Sequence, residues 1–186
     1  MTPRHRIDMI IRDARPEDYP GIRLIYDAVA RNPGGLARAD NEISDAYIQG
    51  FMQSSKDHGI EFVAESDGRI VGELHAFKLG LSVFDHVLGN LTVAVHPALQ
   101  GLGIGRKLFL RLFEIIEDRF PEVSRVELIV RESNARAIHL YETLGFAIEG
   151  RMQGRICGPS GAYEADIPMA WLRTQNHSPR SEIGGV

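Results

Sequence analysis

Apolar residues recur along this chain with periods of roughly 2 and 3.6, and the alternation between the two periods lays out its elements. Met9-Ile10-Ile11-Arg12 reads as a short first strand. Ala14-Arg15-Pro16-Glu17-Asp18 then opens a helix, since proline is tolerated in a first helical turn and acids there suit the dipole. Ile22, Ile25, Tyr26 and Val29 continue that helix at its own spacing, and Asn32-Pro33-Gly34-Gly35 breaks it. A second helix is expected over Ile43 to Met52, with Ile43, Tyr47 and Phe51 on one stripe. Glu61 to Glu65 and Ile70 to Leu79 read as strands. Asp67-Gly68 between them is a hairpin-turn pair, so the two should be antiparallel neighbours. Leu81 to His86 is a loop, and Leu91 to Val95 is the next strand.

The glycine-rich stretch Gln100 to Lys107 follows, and behind it a strongly amphipathic helix. Leu108, Phe109, Leu112, Phe113, Ile116 and Phe120 fall on one side of that helix; Lys107, Arg111, Glu114 and Asp118 fall on the other. The mixed sign of the polar face suits a helix on a sheet and not one on a membrane surface. Pro121 stops it. Val126 to Val130 is another strand, Ser133 or Asn134 caps the following helix, and Gly145 ends it. Phe146 to Met152 and Ala162 to Leu172 close the sheet as a hairpin across Gly158-Pro159-Ser160-Gly161. Pro168 cannot donate to a ladder, so either that strand is bulged or the proline sits where no donor is needed. Residues 1–8 and 174–186 are polar and expected to be disordered, which leaves one α/β domain over 9–173.

Composition narrows the function classes. A chain of 186 residues with 44% hydrophobic and 25% charged residues suits one globular domain. The net charge of -4 gives no reason to expect nucleic acid or an anionic membrane as partner. A single cysteine, Cys157, excludes an internal disulfide. With no signal-peptide pattern behind Met1 and no run of transmembrane length, a cytoplasmic protein is expected.

The candidate chemistry starts at Gln100-Gly101-Leu102-Gly103-Ile104-Gly105-Arg106-Lys107. A strand, a glycine loop and a helix start form an anion site, because loop N–H groups and the helix dipole both favour negative charge. Glycines remove Cβ atoms and let a phosphate approach the backbone. Neither familiar phosphate loop fits. In a P-loop Lys would follow the last Gly and a hydroxyl residue would stand at Leu108; the dinucleotide fingerprint needs one more residue between its last two glycines. A second stretch, Asn134-Ala135-Arg136-Ala137-Ile138-His139-Leu140-Tyr141-Glu142-Thr143-Leu144-Gly145-Phe146, follows the strand Val126 to Val130.

Together the two stretches resemble the GNAT superfamily of N-acetyltransferases. Gln100, Gly103 and Gly105 match its acetyl-CoA motif; Asn134, Ala137, Tyr141, Gly145 and Phe146 match the motif after it. The resemblance implies a mixed, mostly antiparallel twisted sheet flanked by helices, with a splayed central strand pair that admits coenzyme A. It implies acetyl-CoA as co-substrate, with no metal called for. Val93, Ala94 and Val95 would bind the carbonyl and pantetheine. Gly101, Leu102, Gly103, Ile104, Gly105 and Arg106 would take the pyrophosphate. Asn134 and Ala137 would contact the CoA arm, and Tyr141 would stand near the sulfur as general acid. On spacing alone Tyr141 also fits a core stripe with Ala137, Ile138 and Leu144, and Asn134 also fits a plain cap.

The general base has no obvious carrier. Many members of the superfamily carry an acid where this chain has Gly89-Asn90-Leu91, and Asn90 cannot take a proton. Glu73, which strand alternation puts on one face with His75, is the substitute, with a surface carboxylate or a water chain as the other readings. The expected activity is acetyl transfer to a primary amine of a small molecule, an amino acid or related amine, by direct attack in a ternary complex. The alternatives are a protein N-terminal or ribosomal-protein acetyltransferase and a non-catalytic acyl-CoA-binding module. A homodimer is compatible with the resemblance, though no segment demands one.

Overall fold

The alternating runs fold in chain order as β1 (Ile10–Asp13), α1 (Tyr19–Ala30), α2 (Asp45–His58), β2 (Gly59–Ser66), β3 (Arg69–Phe77), β4 (Val87–Val95), α3 (Ile104–Arg119), β5 (Arg125–Arg131), α4 (Ala135–Thr143), β6 (Ala147–Ile148), β7 (Met152–Cys157) and β8 (Tyr163–Leu172). This computed structural model describes residues 8–32, 35, 36, 38, 40–158 and 160–173. The ends expected to be disordered lie outside these residues apart from Asp8, as do Pro33 and Gly34 of the helix break.

The strands form one eight-stranded sheet in the order β1-β2-β3-β4-β5-β8-β6, with β7 also on β8. All neighbours are antiparallel except β4 and β5, which are parallel. This is the mixed, mostly antiparallel α/β fold expected. Side chains alternate across it. On one face α1 and α2 pack Ile22, Ile25, Tyr26, Ile48 and Phe51 against Val63 and Ala94. On the other, α3 sets Ile104, Leu108, Phe109 and Leu112 against Phe62, Leu74 and Ala76. Gly72 lets α3 come close, since a Cβ there would stand 3.1 Å from Ile104.

Several boundaries differ from the expected ones for local reasons. Pro16–Asp18 forms a single 3-10 turn, and Pro20 takes the first-turn slot of α1. Asp18 does not cap α1; it accepts two bonds from Arg12, each 2.7 Å, and one from the Arg15 N–H. The second helix runs past Met52 to His58. The Ser44 hydroxyl caps its start by accepting from the Tyr47 N–H, and Lys56 and His58 suit the negative end of its dipole. β4 begins at Val87, not Leu91, because Gly89-Asn90 is absorbed as a bulge: Asn90 has φ 50° and the register on β3 shifts there.

The closing hairpin resolves the problem of Pro168. The strand expected over Phe146 to Met152 is interrupted between β6 and β7. In an antiparallel strand a residue's N–H and C=O point to the same neighbour. The Pro168 carbonyl accepts from the Glu149 N–H at 2.9 Å, and the reciprocal bond of that pair, which proline cannot donate, is missing where β6 ends at Ile148.

Candidate active site

β4 and β5 are paired only at Val87↔Arg125 and Leu88↔Val126. Beyond the Asn90 bulge no ladder joins 91–95 to 127–131: β4 stays on β3 while β5 pairs with β8. A seam therefore opens in the sheet towards the C-terminal end of β4. Alternation tells which groups face it. The His96 N–H donates to Val71 O on β3, so the backbones of Ala94 and Thr92 also point to β3. Those of Val93 and Val95 point into the seam.

The glycine loop lies at the mouth of this seam. Gly101 and Gly103 have φ 87° and 82°, the left-handed region that favours glycine, and Gly103 is the residue before α3. No side chain caps that helix start. The first-turn N–H groups of Ile104, Gly105 and Arg106 have no carbonyl behind them within the helix, so they are available to an anion. A Cβ at Gly103 would meet no atom within 4 Å, which leaves open space over the loop. Gln100 holds the loop to the strand by donating to Val95 O at 3.2 Å.

α4 flanks the loop. Arg136 Nη1 lies 3.4 Å from Gln100 Oε1, and its other terminal nitrogen stands 3.3 Å from where a Gly101 Cβ would be. Arg106 reaches the Thr143 hydroxyl at 3.4 Å. At Gly105 a Cβ would lie 3.4 Å from Leu140, so this glycine serves the approach of the two helices. Arg136 is a loop cation that the sequence pattern did not single out; its one signal was its place four residues before Leu140, on the helix stripe next to that of Tyr141.

Both ends of α4 are fixed by their own residues. The Asn134 Oδ1 accepts from the Ala137 N–H at 3.1 Å, which leaves the amide nitrogen of Asn134 for other partners. At the C-terminus the Gly145 N–H donates to Glu142 O and the Phe146 N–H to Tyr141 O, with Gly145 at φ 92°. This double closure needs a left-handed residue, and it brings Phe146 back onto Tyr141 at a ring distance of 5.9 Å. Phe109 closes the other side of the ring at 5.4 Å. Burial pushes the Tyr141 phenol well above its ordinary range, so it stays protonated. Among the described residues its hydroxyl has no hydrogen-bond partner.

Glu73 is fully buried on the α1/α2 face. Its Oε2 accepts from the Tyr26 hydroxyl at 2.7 Å, and its Oε1 lies 3.0 Å from His75 Nδ1. An ionised Glu73 can only accept, which makes Nδ1–H the donor of that contact. The His75 ring stacks on Phe51 at 4.0 Å and 13°. The buried carboxylate and desolvation hold the Tyr26 phenol well above its usual range, with burial the larger cause. Tyr47 lies edge-on to Tyr26 at 6.0 Å, and the Arg38 guanidinium sits 3.9 Å above the Tyr47 ring. Sequence alternation placed Glu73 and His75 together. It could not reveal Tyr26 and Phe51, which arrive from helices distant in the chain.

The structure thus sets two groups of residues on β4 and its flanks: an electropositive glycine loop with Tyr141 on one side, and a buried Glu73–His75–Tyr26 cluster on the other. The geometry fits a pyrophosphate-bearing cofactor at the loop. Its open N–H groups, two arginines and left-handed glycines supply what such an anion needs, and the seam beside it can admit an extended arm. Among the described residues no group of His, Cys, Asp and Glu is placed to hold a metal ion, and no helix is long and apolar enough to cross a membrane.

Comparison with known proteins bears on the same features. The L-amino acid N-acyltransferase MnaT of Escherichia coli is 28% identical over 145 residues, covering 77% of this chain and 83% of that enzyme. A mycothiol acetyltransferase of Thermomonospora curvata is 42% identical over 85 residues, but the match spans only 46% of this chain and 27% of that protein. The [ribosomal protein bS18]-alanine N-acetyltransferase of Escherichia coli is 41% identical over 75 residues, 40% of this chain and 49% of that enzyme. Among solved structures, yncA of Salmonella typhimurium with its cofactor acetyl-CoA superimposes with a TM-score of 0.74 at 24% identity, covering 94% of this chain and 99% of that one. Residues 22–146, from the core stripe of α1 through the glycine loop to the Gly145-Phe146 closure, match the Acetyltransferase (GNAT) family, and the chain belongs to it.

Proposed function

We propose that this chain is an acetyl-CoA-dependent N-acetyltransferase that acetylates a primary amine of a small molecule, an amino acid or related amine, by direct attack in a ternary complex. The observation that carries the reading is the β4–β5 seam ending at an uncapped helix start beside Arg106 and Arg136. Bound acetyl-CoA would supply the acetyl group as an activated thioester. The first-turn N–H groups and the two arginines hold the pyrophosphate, and the Val93 and Val95 backbone groups receive the arm. The Tyr141 hydroxyl is kept protonated by burial and serves as proton donor to the leaving sulfur.

Glu73 is enclosed by its two partners, so it acts through them. It orients His75 with Nδ1–H towards itself and leaves Nε2 as the proton acceptor for the amine. The amino-acid reading draws on the MnaT match, which spans most of both chains. Arg38, beside Tyr47, brings a cation for an amino-acid carboxylate to the same aromatic cluster. The ribosomal enzyme's 41% identity favours a protein acceptor as the second reading. A thiol-release assay with acetyl-CoA against free amino acids, related amines and N-terminal peptides decides. Turnover confined to peptides overturns the small-molecule reading, and no turnover with bound acetyl-CoA leaves a non-catalytic module.

A further inference from the structure

Acetylation of an ammonium form is not proton-neutral. R–NH3+ and acetyl-S-CoA give R–NH–CO–CH3 and CoA-SH, the thiol taking one proton and the solution another. One proton must leave the site each turnover, while acetyl-CoA fills the seam. We infer, resting on the function proposed above, that the proton leaves across the sheet, from His75 and Glu73 to Glu61 on β2 and out through a cavity under α2.

The register supports this path. Glu61 stands directly opposite His75 on β2 and β3, and His75 stands opposite Thr92 on β4. Paired residues share a face, with Cβ atoms about 4.5–5.5 Å apart. Thr92, His75 and Glu61 therefore make one row on the α1/α2 face, running away from the seam. The next row holds Ala94, Glu73 and Val63. His75 Nδ1, Glu73 and the Tyr26 hydroxyl are already joined by contacts of 2.7–3.3 Å.

Among the described residues Glu61 differs from the other acids of this face. Its Oε1 is sealed from solvent and has no hydrogen-bond partner, and the Ser55 hydroxyl is in the same condition. Both residues line a cavity of about 740 Å³ between the start of α1, α2, the start of β2 and the end of α3. Glu61 is half-buried: its sealed Oε1 is turned into the protein while the residue borders the cavity, so its carboxyl spans the boundary between the buried cluster and open space. Charged and titratable groups facing Glu61 and this cavity are Asp13, Arg15 and Asp18 from β1 and its turn, Tyr19 from α1, Lys56 from α2, Glu73 and His75 from β3, and Arg119 from α3. Arg119 is held by Asp13 and does not pair with Glu61, while Asp18, although bonded to Arg12, adds negative charge near it. Burial first, then Glu73 and Asp18, push the Glu61 carboxyl up to about 8. A group with that affinity takes up and releases a proton in the range where an amine acceptor is deprotonated.

Two measurements on the full chain test the path. The first needs no acceptor: carbon NMR of the glutamate side-chain carboxyls against pH, with Glu61→Gln identifying the resonance. The Glu61 carboxyl should titrate far above the other glutamates, and Glu73→Gln should bring it down. Titration in the ordinary carboxylate range overturns the proposal. The second uses an amine from the turnover panel. Glu61→Gln should lower kcat roughly ten-fold, less than the ~10²–10⁴ of a group touching the reacting atoms, with KM for acetyl-CoA unchanged. Glu61→Ala should regain rate as imidazole is added, which a merely structural loss would not. Wild-type turnover beside an equally fast Glu61→Gln, or no imidazole rescue, overturns the proton path alone. A wild type that acetylates nothing in the panel overturns the acetyltransferase reading and the path with it.

Discussion

Substituting Gly103 by Glu separates cofactor binding from folding. Gly103 has φ 82° and precedes the first turn of α3. A side chain there costs about 1–2 kcal/mol in backbone strain. It meets no atom within 4 Å, so no steric penalty is added. A carboxylate at a helix N-terminus returns about 0.3–1 kcal/mol. The net loss is about 1 kcal/mol, or roughly 2–4 °C in Tm for a chain of this size. Binding should suffer far more. The new carboxylate competes for the N–H groups that would hold a pyrophosphate. Two unit charges ~5 Å apart at an effective dielectric of ~20 repel by about 3 kcal/mol, a loss of roughly a hundred-fold in Kd or more. Calorimetry with acetyl-CoA, beside a thermal melt of the same preparation, reads both quantities. Affinity within a few-fold of wild type would refute the anion cradle, and a collapse of Tm would show that the open space over the loop is wrong.

Other expectations follow from the same geometry. Tyr141→Phe removes an unpartnered hydroxyl from a ring packed by Phe109 and Phe146; kcat should fall about 10²-fold with Tm and acetyl-CoA affinity nearly unchanged, and activity within a factor of about two would sink the general-acid role. Glu73→Gln weakens the hold on Tyr26 and His75, so the rise of kcat/KM through neutral to mildly basic pH should flatten or shift; an unchanged profile removes Glu73 from the chemistry. Glu61→Gln should stabilise the protein in a pH-dependent way. A carboxyl whose folded pKa is raised to about 8 holds a proton that the unfolded chain, at about 4.3, has lost, so wild-type stability falls between those values. The Tm advantage of Glu61→Gln should therefore grow from about pH 4.5 to 8 and level off above it, and a constant difference in melts across that range would contradict the raised pKa.

The sequence carried the parts of this fold that depend on local pattern. The glycine loop, the stripe of α3, the Asp67-Gly68 turn and the Gly145-Phe146 closure are each set by residues within a few positions of one another, and they are found where the pattern put them. What could not be read depended on who arrives from afar. Gly89-Asn90 looked like the boundary before β4 because both residues disfavour strands; opposite β3 they become a bulge inside the strand. Glu73 read equally well as a surface carboxylate until Tyr26 and Phe51 were laid over its face. Arg136 became a loop cation only because α4 packs along the start of α3.

The seam also bears on how this sheet avoids sticking to its neighbours. Unpaired strand backbone is a template for adding a foreign strand, and proteins guard such edges with charge, brevity or bulges. The outer edge follows that practice: β1 is four residues long and ends in Arg12 and Asp13. The inner edges at the seam carry no such guard, since Val93 and Val95 are apolar and half-buried. They are protected by position instead. β3 holds one side and β5 with β8 the other, and the glycine loop with α3 and α4 follows at the mouth, so these edges lie inside the sheet and not on its rim. The molecule can thus keep strand backbone unsatisfied in its middle, ready for a slim amide-bearing chain, without offering a seed for aggregation.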